Sequence, residues 1–167
     1  YVELGAKFTK WRAVIKIGSG MPTEECINGN ADALAQYAKL AQNNGLVPIV
    51  EPEILMDGNH SIIECFDTSA NALSSLFNSL KRHEVNLKGV LLKPSMVTAG
   101  SLAETQATPQ EVAELTIKCL KENVPSDVPG ITFLSGGQTE IQATEHLDLM
   151  NKIGGFDWKL SFSYGRA

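Results

Sequence analysis

Cysteine is scarce in this chain. Cys26, Cys65 and Cys119 stand far apart, and no CxxC pair occurs. An odd, scattered set excludes a disulfide framework, supplies no zinc-ligand spacing, and reads as reduced structural thiols in a cytosol-like compartment. Long apolar runs are missing too: nothing approaches the ~18 residues that a transmembrane helix needs, so no membrane insertion is expected. No signal peptide is expected within the chain. Positive charge is in deficit, with 14 Lys and Arg against 19 Asp and Glu and a net charge of -5. That balance argues against a nucleic-acid partner, which calls for clustered basic residues, but leaves room for local basic sites that hold small anions. The histidines, His60, His83 and His146, show no metal-ligand spacing and fall away from the apolar runs, so surface positions are expected for all three.

What is present suits a globular domain. Of 167 residues, 43% are hydrophobic and 20% charged, enough for a sizeable core, and the length fits one domain over 1–167. The first residue is Tyr1 rather than Met, which leads us to expect a part of a longer protein whose N-terminal signals would lie out of sight.

Short apolar runs alternate with helical periodicities. The first run is Trp11 to Ile17, followed by a helix with Leu34, Tyr37, Ala38 and Ala41 at i, i+3, i+4, i+7 spacing. It ends at Asn44-Gly45, where a left-handed cap fits. Leu46 to Val50 is the next run, with Pro48 removing one ladder donor. A helix after Asp57-Gly58 carries Leu73, Leu76, Phe77 and Leu80 on one face. Gly89 to Lys93 reads as a buried strand. Thr108-Pro109-Gln110-Glu111 is a capping box with Pro at N1, and its helix turns Val112, Leu115, Cys119 and Leu120 inward. Ile131 to Leu134 is a strand, residues 139–151 a helix, and Trp158 to Ser163 the last strand. Strands separated by whole helices pair in parallel through right-handed crossovers. The fold class is therefore α/β, either an open doubly wound sheet or part of a (β/α)₈ TIM barrel. Polar residues gather at the C-terminal ends of the runs, and convergence of those ends on one mouth favours the barrel.

Lys93 ends the apolar Val90-Leu91-Leu92. A lysine so placed points into a desolvated interior, where burial and a neighbouring cation disfavour the ammonium and leave an amine able to attack a carbonyl. The plainer alternative is a strand-end lysine that snorkels to solvent. Glu51 and Glu53, at i and i+2 of a strand, share a face and can enter one cavity as acid and base; alone they could equally be a solvated acidic turn. Lys10 and Arg12 also share a face and could hold an anion, or be an ordinary basic strand start, with Trp11 on the opposite, packed side. Ser135-Gly136-Gly137-Gln138 leads from a strand into a helix, a place where close backbone approach and the helix N-terminus suit a phosphate, though a tight turn would look the same. Ser163-Tyr164-Gly165-Arg166 repeats the theme on the last strand and adds a guanidinium. The lack of metal-ligand spacing favours imine chemistry over metal-assisted enolisation, with no cofactor.

Lys10-Trp11-Arg12, Val50-Glu51-Pro52-Glu53-Ile54-Leu55, Leu91-Leu92-Lys93-Pro94-Ser95-Met96-Val97, Phe133 to Gln138 and Ser161 to Ala167, in this order and spacing, resemble class I fructose-1,6-bisphosphate aldolase over essentially the whole chain. The resemblance implies the last five strands of a (β/α)₈ barrel and a lyase of glycolysis and gluconeogenesis. Such an enzyme cleaves fructose 1,6-bisphosphate to dihydroxyacetone phosphate and glyceraldehyde 3-phosphate. It implies Lys93 as the Schiff-base lysine and Glu51 as the general acid/base. Glu53 would tune the charge around Lys93, and Lys10 would assist proton transfer. Arg12 would hold the distal phosphate. Ser135, Gly136, Gly137, Ser163, Gly165 and Arg166 would form the C1-phosphate site. A cytoplasmic homotetramer is implied, with a cytoskeletal partner as a further role. About three strands before this segment, with an aspartate that takes the C4 hydroxyl proton, and a C-terminal tail are expected to be absent, leaving the isolated chain inactive and poorly stable. The competing expectations are another imine-forming barrel lyase, such as a transaldolase or a deoxyribose-phosphate aldolase, and a noncatalytic binding module.

Overall fold

A computed structural model describes residues 1–165. Five parallel strands, β1 (Phe8–Ile15), β2 (Val47–Ile54), β3 (Leu91–Leu92), β4 (Gly130–Phe133) and β5 (Lys159–Phe162), alternate with helices α1 (Glu24–Asn43), α2 (Ile62–Arg82), α3 (Pro109–Asn123) and α4 (Glu140–Ile153). The expected βα order is thus observed throughout. The strands lie side by side in the order β1-β2-β3-β4-β5, every pair parallel. A doubly wound sheet reverses its strand order at a switch point. This sheet never does, and its helices also pack in chain order, α1 on α2, α2 on α3, α3 on α4. Single winding is the barrel sense, so the alternative between open sheet and barrel is resolved by topology.

Local chemistry sets the helix starts. Thr23 caps α1 by accepting from the Cys26 amide. Complete capping boxes open α2 (Ser61 with Glu64), α3 (Thr108 with Glu111) and α4 (Thr139 with Gln142). Each satisfies donors that the first turn would otherwise leave orphaned. Between helices and sheet lies one continuous core. Leu34, Ala35 and Ala38 of α1, Leu73, Leu76 and Leu80 of α2, Ile117 and Leu120 of α3, and Met150 of α4 meet Ile15, Val50, Leu92, Ile131 and Phe133 from the strands. Small residues on α1 let that helix sit close to the sheet.

The period-2 alternation of strands sends the other residues to the opposite, concave face. Trp11 does face the helix side, its ring centroid 5.9 Å from that of Tyr37. It is nevertheless 56% exposed rather than packed, because among the described residues β1 has a strand neighbour on one side only.

Two histidines depart from the surface positions that the sequence suggests. His60 is 4% exposed and His146 6% exposed. His60 precedes α2 and is enclosed where the loop after β2 meets the loop after β3, with the Gly100 amide donating to the His60 carbonyl at 2.8 Å. His146 lies on the inner face of α4 with Ala143, Leu147 and Met150. Only His83 is partly open, its Nε2 2.7 Å from Asp32 Oδ1.

Candidate active site

The parallel ladders continue past the formal strand ends and align them. The Lys93 amide donates to the Val50 carbonyl at 2.8 Å, Leu134 to Pro94 at 3.3 Å, and Ser163 to Phe133 at 2.9 Å. Ser95 fastens the segment after β3 to the end of β2. Its hydroxyl accepts from the Ile54 amide at 2.9 Å and donates to the Ile54 carbonyl at 3.0 Å. Lys93 is therefore fixed by backbone on one side and by Ser95 on the other, two residues away.

At this C-terminal end, Lys10, Arg12, Glu51, Glu53, Lys93, Ser135, Gly136, Ser163 and Gly165, with Leu134, line one cavity of about 240 Å³. Residues read from five separate sequence motifs are brought together. Gly137 is the one described candidate that does not line it, and Arg166 lies outside the described residues.

Lys93 is 8% exposed and does not snorkel to solvent; Glu51 is 4% exposed. Glu51 divides its carboxylate between two lysines. Its Oε1 lies 3.2 Å from Lys93 Nζ and its Oε2 2.5 Å from Lys10 Nζ. Glu53 is held by Arg12 Nε, and this bond, with the negative charge of both glutamates, raises the guanidinium pKa above its already high value against a smaller desolvation effect. Register explains the pairing. Lys10 lies opposite Ile49 and Arg12 opposite Glu51, so each cation reaches diagonally to the carboxylate one same-face position further along, a distance that long side chains span. Three cations thus face two carboxylates in the cavity wall. The excess is positive, in a chain whose net charge is -5. A site built this way attracts anions.

The turn after β4 adds backbone donors. Gly136 and Gly137 have φ of 58° and 87°, and the Gln138 amide donates to the Ser135 carbonyl at 3.0 Å. Positive φ at both central residues is the pattern of a type I′ turn, which glycine adopts without steric cost. Gly137 thereby contributes conformation rather than a wall of the cavity. Among the described residues, no amide of Ser135, Gly136 or Gly137 donates to another protein group. Successive free amides in a tight turn form a concavity suited to anionic oxygens.

The family model for class I fructose-bisphosphate aldolase matches residues 1–167. The chain belongs to that family. It is 54% identical over 167 residues to the probable fructose-bisphosphate aldolase class 1 of Xanthomonas campestris, covering all of this chain and 50% of that relative. To the cytosolic fructose-bisphosphate aldolase 4 of Arabidopsis thaliana it is 49% identical over 168 residues, with 100% of this chain and 43% of the plant protein covered. The chain thus spans about half the length of the curated relatives it matches. A solved structure of fructose-bisphosphate aldolase from Plasmodium falciparum, in complex with TRAP and a small-molecule inhibitor, superposes with a TM-score of 0.98 at 47% identity, covering 100% of this chain and 49% of that one. The fold is accordingly the aldolase barrel's, represented among the described residues by five strands and the four helices between them. No helix among the described residues is long and apolar enough to cross a membrane.

Two polar residues beside this site are given no role by the motifs: His146, expected at the surface but buried, and Tyr164. The signal for His146 was available, since Ala143, His146, Leu147 and Met150 keep the i, i+3, i+4, i+7 spacing of a buried stripe. Tyr164 stands inside a recognised motif, and its hydroxyl donates to the Ala143 carbonyl of α4 at 2.7 Å.

Proposed function

We propose that this chain carries the Schiff-base site of a fructose-bisphosphate aldolase. The observation that carries the reading is the Glu51 carboxylate bridging Lys10 and the buried Lys93 inside an anion-attracting cavity. Glu51 takes the proton of the Lys93 ammonium, and the freed amine adds to the C2 carbonyl of fructose 1,6-bisphosphate; a C–N bond forms, and the nitrogen's proton passes to the new alkoxide to give a carbinolamine. Glu51, within hydrogen-bond reach of Nζ, is placed to protonate the departing hydroxyl, so that water leaves and an iminium remains. The C3–C4 bond then breaks. Its electron pair moves into the iminium to give an enamine, and the C4 hydroxyl loses its proton as glyceraldehyde 3-phosphate departs. Protonation of the enamine at C3 and hydrolysis of the imine release dihydroxyacetone phosphate and restore the amine.

Lys10 shares Glu51 and serves to move its proton; Glu53, held by Arg12, keeps a second negative charge close to Lys93. Arg12 meets the distal phosphate. The Ser135-Gly136 turn, with Ser163, Gly165 and Arg166, takes the phosphate on C1. The imine is itself the electron sink, so the reaction calls for no metal or organic cofactor. None of the residues lining this cavity is assigned the C4 hydroxyl proton, so imine formation is the part of the cycle we ascribe to this chain, with cleavage belonging to the longer protein. The cytosolic Arabidopsis thaliana relative supports a cytoplasmic setting, and the family resemblance supports a homotetramer.

Borohydride reduction in the presence of dihydroxyacetone phosphate, followed by peptide mapping, tests the reading. A single reduced adduct on Lys93 is expected. A folded chain that gives no adduct, or one labelled on Lys10 instead, would overturn it.

A further inference from the structure

The turn that supplies the free amides is held from behind by a side chain outside the cavity. Gln138 closes the turn twice: its backbone amide and its side-chain Nε2 both donate to the Ser135 carbonyl, at 3.0 and 2.9 Å. Nε2 also lies 3.6 Å from Met96 Sδ. With Nε2 committed to a carbonyl, Gln138 Oε1 must face the other way, because a flipped amide would set two acceptors against each other. There it meets His146 Nδ1 at 2.5 Å. An amide oxygen only accepts, so the proton of this bond belongs to Nδ1. Burial lowers the His146 pKa from its ordinary value, with Glu145 opposing. The ring is therefore neutral at pH 7, in the Nδ1–H tautomer that the partner selects.

We propose that His146 is a positioning residue for the phosphate-binding turn, acting through Gln138 on the Ser135 carbonyl and so on the free amides of Ser135, Gly136 and Gly137. The proposal rests on the phosphate assignment made above for that turn. His146 touches no substrate: neither it nor Gln138 lines the cavity. It is 6% exposed on the packed face of α4, the helix that also holds Tyr164 of the other phosphate segment through the Ala143 carbonyl. A buried donor aimed at one amide oxygen fixes the amide's rotation, and a fixed amide fixes the carbonyl it grips. Without the donor, Gln138 Oε1 would lack its partner and the side chain would be free to leave Ser135.

The test compares the unsubstituted chain with His146→Asn and His146→Leu. An asparagine Nδ2 takes the place of Nδ1 and keeps a donor; leucine removes it. Binding of inorganic phosphate is followed by the Gly136 amide resonance, and borohydride trapping on Lys93 by mass spectrometry with dihydroxyacetone phosphate and with unphosphorylated dihydroxyacetone. We expect His146→Leu to weaken phosphate about tenfold and raise the half-saturating dihydroxyacetone phosphate concentration by the same factor, the loss expected for about one hydrogen bond. Trapping with dihydroxyacetone should be unchanged, and His146→Asn should stay within about threefold of the parent, since its donor is retained. Gln138→Met breaks the same link from the loop and is predicted to match His146→Leu, which keeps the test decisive if the leucine variant does not fold. Equal phosphate binding in His146→Leu and the parent overturns the inference. So does a parallel loss with both ketones, which marks a general structural role. A parent chain whose Gly136 resonance ignores phosphate, while Lys93 still traps, removes the phosphate assignment itself and the inference with it.

Discussion

Glu51 Oε1 lies 3.2 Å from Lys93 Nζ, and both side chains are almost fully buried. The second oxygen, engaged with Lys10, makes this pair asymmetric toward mutation. Lys93→Met leaves Glu51 still paired, so the variant should fold with a stability change of about 1 kcal/mol or less, the range of a single net hydrogen bond, while losing all borohydride trapping. Glu51→Leu leaves the Lys93 cation buried without a partner, whereas Lys10, 41% exposed at its side chain, can turn to solvent. Breaking a buried pair in that way costs about 3–5 kcal/mol. Urea denaturation of the two variants should therefore separate them clearly; equal midpoints would show that the pair carries no buried charge.

Stability should fall as pH drops below neutrality in two separate windows. Burial lowers the pKa of His60 and of His146, with Glu64 and Glu145 respectively opposing. Between the depressed folded values and the ordinary value of about 6.5, the unfolded chain binds more protons, so stability rises with pH there. Their contribution is complete above about pH 6.5 and disappears as pH falls through the folded values. Asp32, Glu64 and Glu111 are held below the usual carboxylate range by hydrogen bonds from His83, Ser61 and Thr108. Their share is present above about pH 4 and lost beneath it. Thermal unfolding followed from pH 7 to pH 3 should show both declines, and His60→Leu should flatten the first. A melting temperature constant from pH 7 to pH 5 would contradict the buried, neutral histidines.

Gly100→Ala should be among the most damaging small substitutions. A Cβ at this position would lie 2.4 Å from the Gly58 carbonyl oxygen and 3.0 Å from the His60 amide, both backbone atoms. The loop after β3 packs directly on the loop after β2 here, and neither can yield without opening the enclosure of His60. Overpacking of this kind costs about 1–3 kcal/mol. Gly29→Ala, where nothing lies within 4 Å, is the matched control and should be neutral or stabilising. Chemical denaturation of the two variants checks the contrast.

Thr108→Ala isolates a cap far from the cavity. Thr108 accepts from the Glu111 amide, and Glu111 accepts in return from the Thr108 amide at 2.8 Å. Loss of an N-cap hydroxyl costs about 1 kcal/mol, which in a domain of this size lowers the melting temperature by about 2–4 °C. Trapping on Lys93 should be unaffected. A variant that melts with the parent would mean that Pro109 and the packing of α3 suffice to start that helix.

Much of this molecule could be read from local patterns alone. Caps and periodicity located α1 through α4, with α3 opening at Thr108-Pro109 and α1 closing at Asn44-Gly45, because those signals act within a single turn of chain. The period of two put Lys10 with Arg12 and Glu51 with Glu53 on shared faces before any partner strand was known. The barrel sense itself was inferred from polar strand ends and established by the unreversed strand order. Tertiary structure decided the rest. Which cation meets which carboxylate depends on the β1–β2 register, a property of two strands more than thirty residues apart that neither encodes by itself. Whether Lys93 snorkels or stays buried depends on Ser95 and on the neighbouring strand ends. His60 reads as an ordinary polar loop residue until a second loop closes over it, and His146 becomes a donor for Gln138 only once α4 folds back against the turn that precedes it. Sequence determines what lies within a turn or along one strand face; burial and pairing across elements arise only when distant segments meet.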